Sequence, residues 1–303
     1  MINLNQEEIK LFQQRGWLKT SLNLSNYEIS LYSNAAKRIV KKAKKDKYKY
    51  GRVYFDYIFD FNLAAVEMPL NNKVCNEEIY NFFQKIKIGR AVNNLLKTDD
   101  SICLLNRLFC MGPYNYTGHM HKDTENENKR IQVMIYLKDE SGFKIIEKDK
   151  EKELMQKMFG DNKLKTSPNF NLPLKFPETS LTSIDAKAGE ILFFDPALSH
   201  QGIYNVSRLN FHMRFEKLEN HRAIASAKKY YDYYDIKEYE KDFDILSNNA
   251  KFPKVSRQNL FRRTINTINY FFPIINFLRL VKLKKNKKYK NYTFNFLDNT
   301  FYQ

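Results

Sequence analysis

Cysteine, glycine and proline are scarce in this chain of 303 residues, which contains three cysteines, nine glycines and eight prolines. The cysteines, Cys75, Cys103 and Cys110, form no CxxC pair and any pairing leaves one over, which argues against the disulfide framework of a small secreted protein. The N-terminus has no basic segment followed by an apolar core, so a secretory signal is not expected. These absences favour a cytoplasmic protein with reduced thiols.

Long hydrophobic runs are also missing. The apolar stretch INYFFPIINFLRLV has only 14 residues, with Pro273 and Arg279 inside it, whereas a bilayer-spanning helix needs about 17–25. Arginines precede it and lysines follow it, so the segment at about 258–290 is predicted to be a helix lying in an anionic membrane surface. Two alternatives stay open: packing on the core with a solvated basic tail, and contact with nucleic acid.

Acidic residues are outnumbered by basic ones. The chain has 51 Lys and Arg against 34 Asp and Glu, a formal net charge of +17. Residues 37–52 include nine basic side chains and one acidic, and residues 251–303 include twelve and one. A charge so far from zero predicts an anionic partner, which can be a small or lipid-linked substrate, a membrane surface or nucleic acid.

The order of sequence patterns predicts helices first and strands later. A helix is expected from about Gln6 to Gln14, capped by Asn3 or Asn5, and a five-turn helix after Ser25 or Asn26. From about residue 100, short apolar or alternating runs predict strands; these are SICLLNRLFCMG, RIQVMIYLKD, FKIIEKD, TSIDAK, EILFFDP and RLNFHMRFE. An irregular stretch between residues 148 and 182 is expected to be a lid or a substrate-binding insertion.

The segment HMHKD carries the first chemical signal, because on a strand His121 and Asp123 would share a face about 7 Å apart. Alone, such a pair is also compatible with a hydrogen-bonded loop. The segment EILFFDPALSHQG supplies a third candidate, His200, just after a predicted strand. Two imidazoles and one carboxylate on one face of an octahedron leave three positions open, as in non-heme Fe(II) oxygenases. His119 is an alternative ligand or a pocket residue.

The strand RLNFHMRF is predicted to place Arg208, Asn210, His212 and Arg214 on one face and apolar side chains on the other. Buried arginines need an anionic ligand, and a guanidinium matches a carboxylate with two parallel hydrogen bonds. Arg208, or alternatively Arg214, is therefore a candidate to hold a dicarboxylate such as 2-oxoglutarate. Asn210 and His212 are candidate pocket residues.

Taken together, HMHKD, AGEILFFDPALSHQG and the arginine of SRLNFHMRF resemble the phytanoyl-CoA dioxygenase branch of the Fe(II)/2-oxoglutarate-dependent oxygenases, over roughly residues 5–216. The resemblance implies an α+β fold with a double-stranded β-helix (jelly-roll, cupin-like) core. It also implies Fe(II) on His121, Asp123 and His200, 2-oxoglutarate on Arg208, and O2 as a further co-substrate. The spacing RLNFHMR is also similar to the RxNxxxR strand of the alkylated-nucleic-acid demethylases.

The resulting expectation is an oxygenase domain over residues 1–220, with N-terminal helices at 5–50 and a β-helix core at about 100–216. A basic, aromatic extension follows at 221–303. The expected activity is hydroxylation of an unactivated C–H of a small or lipid-linked anionic substrate, such as a lipopolysaccharide sugar, at the cytoplasmic membrane face. A nucleic-acid demethylase and a catalytically inactive membrane-surface scaffold are the alternatives.

Overall fold

The computed structural model describes residues 2–45, 53–55, 63–67, 75–111, 120–123, 129–159, 176–202, 207–217, 234–240, 250–255, 293–295 and 300–302. The helices are α1 (Gln6–Arg15), α2 (Asn26–Lys45), α3 (Glu77–Ile86), α4 (Ile88–Leu96) and α5 (Lys148–Phe159). The strands of the N-terminal and central parts are β1 (Trp17–Ser21), β2 (Val53–Phe55), β3 (Leu63–Glu67), β4 (Ser101–Met111), β5 (Arg130–Tyr136), β6 (Glu140–Ile145), β7 (Thr182–Ala186), β8 (Glu190–Phe194), β9 (His200–Gln201) and β10 (Arg208–Lys217). The C-terminal strands are β11 (Tyr234–Glu240), β12 (Ala250–Val255), β13 (Thr293–Asn295) and β14 (Thr300–Tyr302).

The two N-terminal helices form as the sequence predicts. Asn5 caps α1 through a reciprocal pair of hydrogen bonds with Glu8, which satisfies two backbone N–H groups at the helix start. Gly16 ends α1 in the left-handed region, with φ 79°. Ser25 and Glu28 make a similar pair of contacts at the start of α2. Local capping therefore fixes where both helices begin.

Two sheets pack face to face, and their strand pairings are antiparallel except for that of β12 with β4. The larger contains the path β1-β8-β5-β10-β4, and the smaller has the order β7-β6-β9. Side chains from both sheets and from the turn before β9 form one buried apolar cluster between the sheets, which consists of Met134, Tyr136, Ile145, Ile184, Ala186, Leu192, Phe194 and Leu198. The other face of the larger sheet is covered by α1–α4 in a second, larger core. This helix-covered, two-sheet arrangement confirms the expected mixture of helices with an antiparallel β core.

Strand β10 separates the two environments by simple alternation. Its apolar side chains, Leu209, Phe211, Met213 and Phe215, are 0–2 % exposed and belong to the helix-covered core. The intervening side chains point between the sheets, as predicted. In register with β5, His212 lies opposite Met134, and Arg214 lies opposite Gln132. The polar face of β10 therefore looks into the space where a ligand can bind.

Two parts of the chain differ from, or lie beyond, what the sequence patterns indicated. The stretch expected to be irregular begins with a helix, α5, over Lys148–Phe159. In the C-terminal extension, β12 pairs in parallel with β4, and β11 pairs with β12. The expected helical segment at 258–290 lies outside the described residues, and the domain boundary at residue 220 stays a prediction. Among the helices that the structure describes, none is long and apolar enough to cross a bilayer.

Candidate metal centre

The candidate ligands are brought together by a short backbone pairing between distant segments. His121 and His200 form an isolated antiparallel bridge, in which each N–H donates to the other residue's carbonyl oxygen at 2.9 Å. The Asp123 N–H donates to the carbonyl of Pro196 at 2.9 Å. Residues 121–123 are thus held along the turn that precedes His200, although His121 makes only a single bridge and Asp123 lies in a bend rather than a strand.

The side chains of these three residues converge. His121 Nε2 lies 3.5 Å from Asp123 Oδ1, and His200 Nε2 lies 3.8 Å from Asp123 Oδ2. One ligand atom from each residue lies within 4.8 Å of the others. Two imidazole nitrogens and one carboxylate oxygen suit a borderline divalent cation such as Fe(II), and three ligands from one side leave room for others. The donor set therefore fits the expected metal.

Hydrogen bonds and burial set the protonation states of His200 and Asp123. The carbonyl of Leu198 lies 2.9 Å from His200 Nδ1, so a proton on Nδ1 directs the Nε2 lone pair towards Asp123. Burial lowers the pKa of His200 to about 4, which leaves the ring neutral at pH 7. Burial acts to raise the pKa of Asp123, but the hydrogen bond with His121 and the charge of Arg214 outweigh it and hold this pKa well below its usual range.

Asp123 is oriented by donors on the larger sheet. Arg214 Nη2 donates to Asp123 Oδ2 at 2.8 Å, and Gln132 Nε2 donates to the same oxygen. The amide oxygen of Gln132 in turn accepts from His212 Nε2. Burial, together with the charges of Arg107 and Arg214, holds the pKa of His212 well below its ordinary value, so the ring is neutral. The carboxylate is thereby fixed by two donors, one of which is itself oriented by His212.

Arg208 lies in a different part of the same space. Its Nε donates to Glu140 Oε2 at 2.8 Å, and both groups are buried. Glu140 also accepts from the backbone N–H of Leu209 at 3.0 Å and from the side-chain amide of Asn210 at 2.8 Å. Arg208 and Glu140 help to form a pocket lined by Tyr136, Glu140, Ser141, Phe143, Ile184, Gly202 and Arg208.

Aromatic side chains connect this pocket to the three candidate ligands. The ring of Phe143, which lines the pocket, lies 5.9 Å from the ring of His200 and 5.0 Å from that of Phe194. Phe194 in turn lies 5.0 Å from His200. Arg208 therefore shares its pocket with Phe143, whose ring lies next to that of His200, whereas Arg214 contacts the Asp123 carboxylate directly.

Two buried polar atoms on this face of β10 are unsatisfied. Arg214 Nε and Asn210 Oδ1 have no hydrogen-bond partner within the part of the chain that the structure describes. Leaving a buried polar atom unpaired costs about 1–3 kcal/mol. Because both atoms face the space between the sheets, a polar ligand bound there could supply the missing partners.

The sequence patterns located most of this site and missed two of its residues. Arg208, Asn210, His212 and Arg214 all face the cavity as predicted, and His119 lies outside the described residues. Gln132 and Glu140 were not foreseen. Gln132 is the one polar side chain inside the buried run IQVMIY, which was the available signal; Glu140 follows a turn and has no comparable signature.

Comparison with solved structures identifies the class of fold. The chain is similar to the non-heme α-ketoglutarate (2-oxoglutarate)-dependent carbocyclase SnoK from nogalamycin biosynthesis, with a TM-score of 0.50 and 11 % identity, covering 71 % of this chain and 85 % of that one. It is also similar to AviO1 from Streptomyces viridochromogenes Tue57, with a TM-score of 0.50 and 12 % identity, covering 72 % of this chain and 97 % of that one. A third similar structure is EctD from S. alaskensis, crystallised with 2-oxoglutarate and 5-hydroxyectoine. Its TM-score is 0.50 and its identity 11 %, covering 72 % of this chain and 77 % of that one.

These likenesses establish the fold of the chain. It is the fold of Fe/2-oxoglutarate-dependent oxygenases, and the expectation of that superfamily's architecture is confirmed. The phytanoyl-CoA dioxygenase branch within the superfamily stays a prediction. No protein-family profile matches the sequence, and no curated protein matches it either.

Proposed function

We propose that this protein is an Fe(II)/2-oxoglutarate-dependent oxygenase that hydroxylates an unactivated C–H bond. The observation that carries the proposal is the convergence of His121, Asp123 and His200, whose ligand atoms lie within 4.8 Å of one another. These three residues would hold Fe(II). When bound, iron with 2-oxoglutarate and O2 supplies an oxidant strong enough to remove hydrogen from carbon. The chain's own contribution is to fix the ligands and to line the cavity with both polar side chains and aromatic rings.

The co-substrate assignment follows from the positions of the two arginines. A dicarboxylate that approaches the metal through its keto-acid end places its far carboxylate several ångströms away. Arg208, beyond Phe143 and backed by Glu140, is the anchor we propose for that far carboxylate. Arg214 touches the metal-binding carboxylate itself, so it suits the near end of the ligand better and is the alternative anchor. Asn210 lies between them on β10, and its side-chain amide donates to Glu140, the partner of Arg208.

The substrate that we propose is anionic. The support is the net charge of +17 and the basic sequence of residues 258–290, which suits an anionic surface. A lipid-linked anion, such as a lipopolysaccharide sugar, handled by a peripheral protein at the cytoplasmic membrane face is the concrete form of this proposal. His119, His212 and Asn210 are proposed to contribute to the substrate or co-substrate pocket.

The activity is tested by following succinate formation from 2-oxoglutarate with and without Fe(II) and O2. Turnover that needs both, and that is lost in His200→Ala, supports the oxygenase. No turnover in iron-loaded wild type, at any 2-oxoglutarate concentration, contradicts it and favours the inactive scaffold.

The partner is tested separately by sedimentation with vesicles and by binding to single-stranded DNA and RNA. Binding to anionic vesicles that is lost when residues 258–290 are deleted supports the membrane proposal. Strongly salt-dependent binding to nucleic acid, with none to vesicles, favours the demethylase alternative.

A further inference from the structure

A single buried carboxylate outside the candidate metal centre contacts both segments that carry its ligands. Glu151 lies in the first turn of α5 and is 5 % exposed. Its Oε1 accepts from the backbone N–H of Ser199 at 2.9 Å, and its Oε2 accepts from Lys122 Nζ at 2.9 Å. Lys122 stands between His121 and Asp123 in the sequence, and Ser199 directly precedes His200. One side chain therefore connects the two pieces of chain on which the site depends.

The contacts close a ring around the candidate ligands. On one side, His121 and His200 exchange backbone hydrogen bonds at 2.9 Å. On the other side, the path runs from Lys122 through the Glu151 carboxylate to Ser199. Ser199 is held a second time, because its carbonyl accepts from the N–H of Ile146, just before α5, at 3.1 Å. The relative position of the two segments is thus set from both sides.

The placement of Glu151 is energetically demanding, which indicates a specific role. Burying a carboxylate is costly unless its oxygens are paired, and here each oxygen has one strong donor. The Lys122 side chain is 18 % exposed and that of Glu151 is 6 % exposed, so water screens their attraction less than at the surface. The start of a helix also favours a negative charge. The Ser199 donor belongs to the backbone next to His200, so it cannot leave the carboxylate unless that segment moves.

We propose that Glu151 is a positioning residue for the metal centre: it holds residues 121–123 and the Ser199–His200 turn at the separation that lets the three ligands converge. This inference rests on the proposed function, because it assumes that His121, Asp123 and His200 bind the metal. Groups that orient metal ligands from outside typically change metal affinity by about 10–100-fold when they are removed. Glu151→Ala should weaken metal binding within that range. Glu151→Gln, which keeps an acceptor for Ser199 but loses the charge that faces Lys122, should weaken it less.

The test measures Co(II) affinity of the full chain by anaerobic competition with a chelator, together with the visible d–d spectrum of bound Co(II). Glu190→Gln is the matched control, because Glu190 also accepts from a lysine, Lys19 at 3.0 Å, and from a backbone N–H, that of Lys187 at 2.7 Å. Neither of those partners adjoins a candidate ligand. The expected result is a 10–100-fold loss of affinity and a changed spectrum for Glu151→Ala, with less than a twofold change for Glu190→Gln.

A second pair of variants keeps the inference testable if Glu151→Ala does not fold. Lys122→Met should weaken Co(II) binding as Glu151→Gln does, and Lys122→Arg, which restores a cation opposite the carboxylate, should recover most of the affinity. Variants of Glu151 and Lys122 that bind Co(II) within twofold of wild type and share its spectrum would overturn the inference. If wild type itself binds no Co(II), the proposed metal site fails and this inference fails with it, so the two failures are told apart by the wild-type measurement.

Discussion

Replacing Glu140 by glutamine tests how much of the stability depends on the buried ion pair between Arg208 and Glu140. The side chains of Arg208 and Glu140 are 9 % and 6 % exposed, with Nε and Oε2 2.8 Å apart. Glutamine keeps the shape of the side chain but removes its charge. It also replaces one of the two acceptor oxygens by an NH2 group, which is a donor. The side chain can then no longer accept from both Arg208 and the Asn210 amide as the carboxylate does.

The expected loss can be estimated from this geometry. Removing one partner of a buried ion pair leaves an uncompensated charge and costs about 3–5 kcal/mol. For a chain of this size the free energy of unfolding falls by about 3 kcal/mol for each M of urea, so the midpoint of unfolding should fall by about 1 M or more. An exposed pair should behave differently, since breaking one costs about 0–1 kcal/mol. The pair between Lys187 and Asp139 is of this kind, with side chains 77 % and 60 % exposed.

The assay is urea unfolding of the metal-free protein, followed by circular dichroism, for wild type, Glu140→Gln and the control Lys187→Met. We expect a midpoint shift of about 1 M or more for Glu140→Gln and of about 0.3 M or less for Lys187→Met. Equal shifts for the two variants would refute the reasoning, because they would mean that the buried pair contributes no more than a surface contact.

Two further predictions concern a tight turn beside the candidate metal centre and the pH dependence of stability. In Gly16→Ala the new Cβ would lie 2.2 Å from Leu198 Cδ1 at a backbone φ of 79°, so this variant should lower the urea midpoint and weaken Co(II) binding. Gly189→Ala, with φ 86° and a nearest contact of 3.3 Å, should lower the midpoint less and leave Co(II) affinity unchanged; equal Co(II) affinity for both variants would contradict this. Burial holds the pKa of His212 well below 6.5. As the pH is lowered from 7 to 5, His212 therefore takes up a proton in the unfolded chain but not in the folded one. This difference should lower the free energy of unfolding by roughly 1–2 kcal/mol over that range. His212→Asn should lose less stability between the two pH values, as measured by urea unfolding, and an unchanged pH dependence would exclude His212 as a source.

Features that depend on local sequence could be predicted well. The caps of α1 and α2 are formed by side chains three residues apart, so they can be identified without tertiary structure. The alternation of β10 likewise follows from the period of a strand, and it correctly placed Arg208 and Arg214 on the cavity side. The three candidate ligands could be proposed because each stands in a recognisable local pattern.

Features that depend on partners far away in the sequence could not be predicted. Glu140 and Glu151 lie 68 and 48 residues from the groups that they hold, Arg208 and Ser199, and no local pattern marks either carboxylate. The helix α5 was missed because its sequence, KDKEKELMQKMF, is mostly charged and offers little apolar periodicity. Of the strand expected at HMHKD, the described residues 121–123 form one bridge, since the backbone of Asp123 pairs with Pro196 rather than continuing a ladder.

The central claim is that His121, Asp123 and His200 bind iron while Arg208 anchors 2-oxoglutarate, and anaerobic titration with Fe(II) and 2-oxoglutarate tests it most directly. We predict that wild type develops the visible charge-transfer band of the iron–2-oxoglutarate chelate. His121→Ala should lose the band, and Arg208→Ala should need about 10–100 times more 2-oxoglutarate to reach it, as expected for the loss of charge-assisted hydrogen bonds. The absence of the band in iron-loaded wild type would contradict the account, and a normal titration of Arg208→Ala would move the anchor to Arg214.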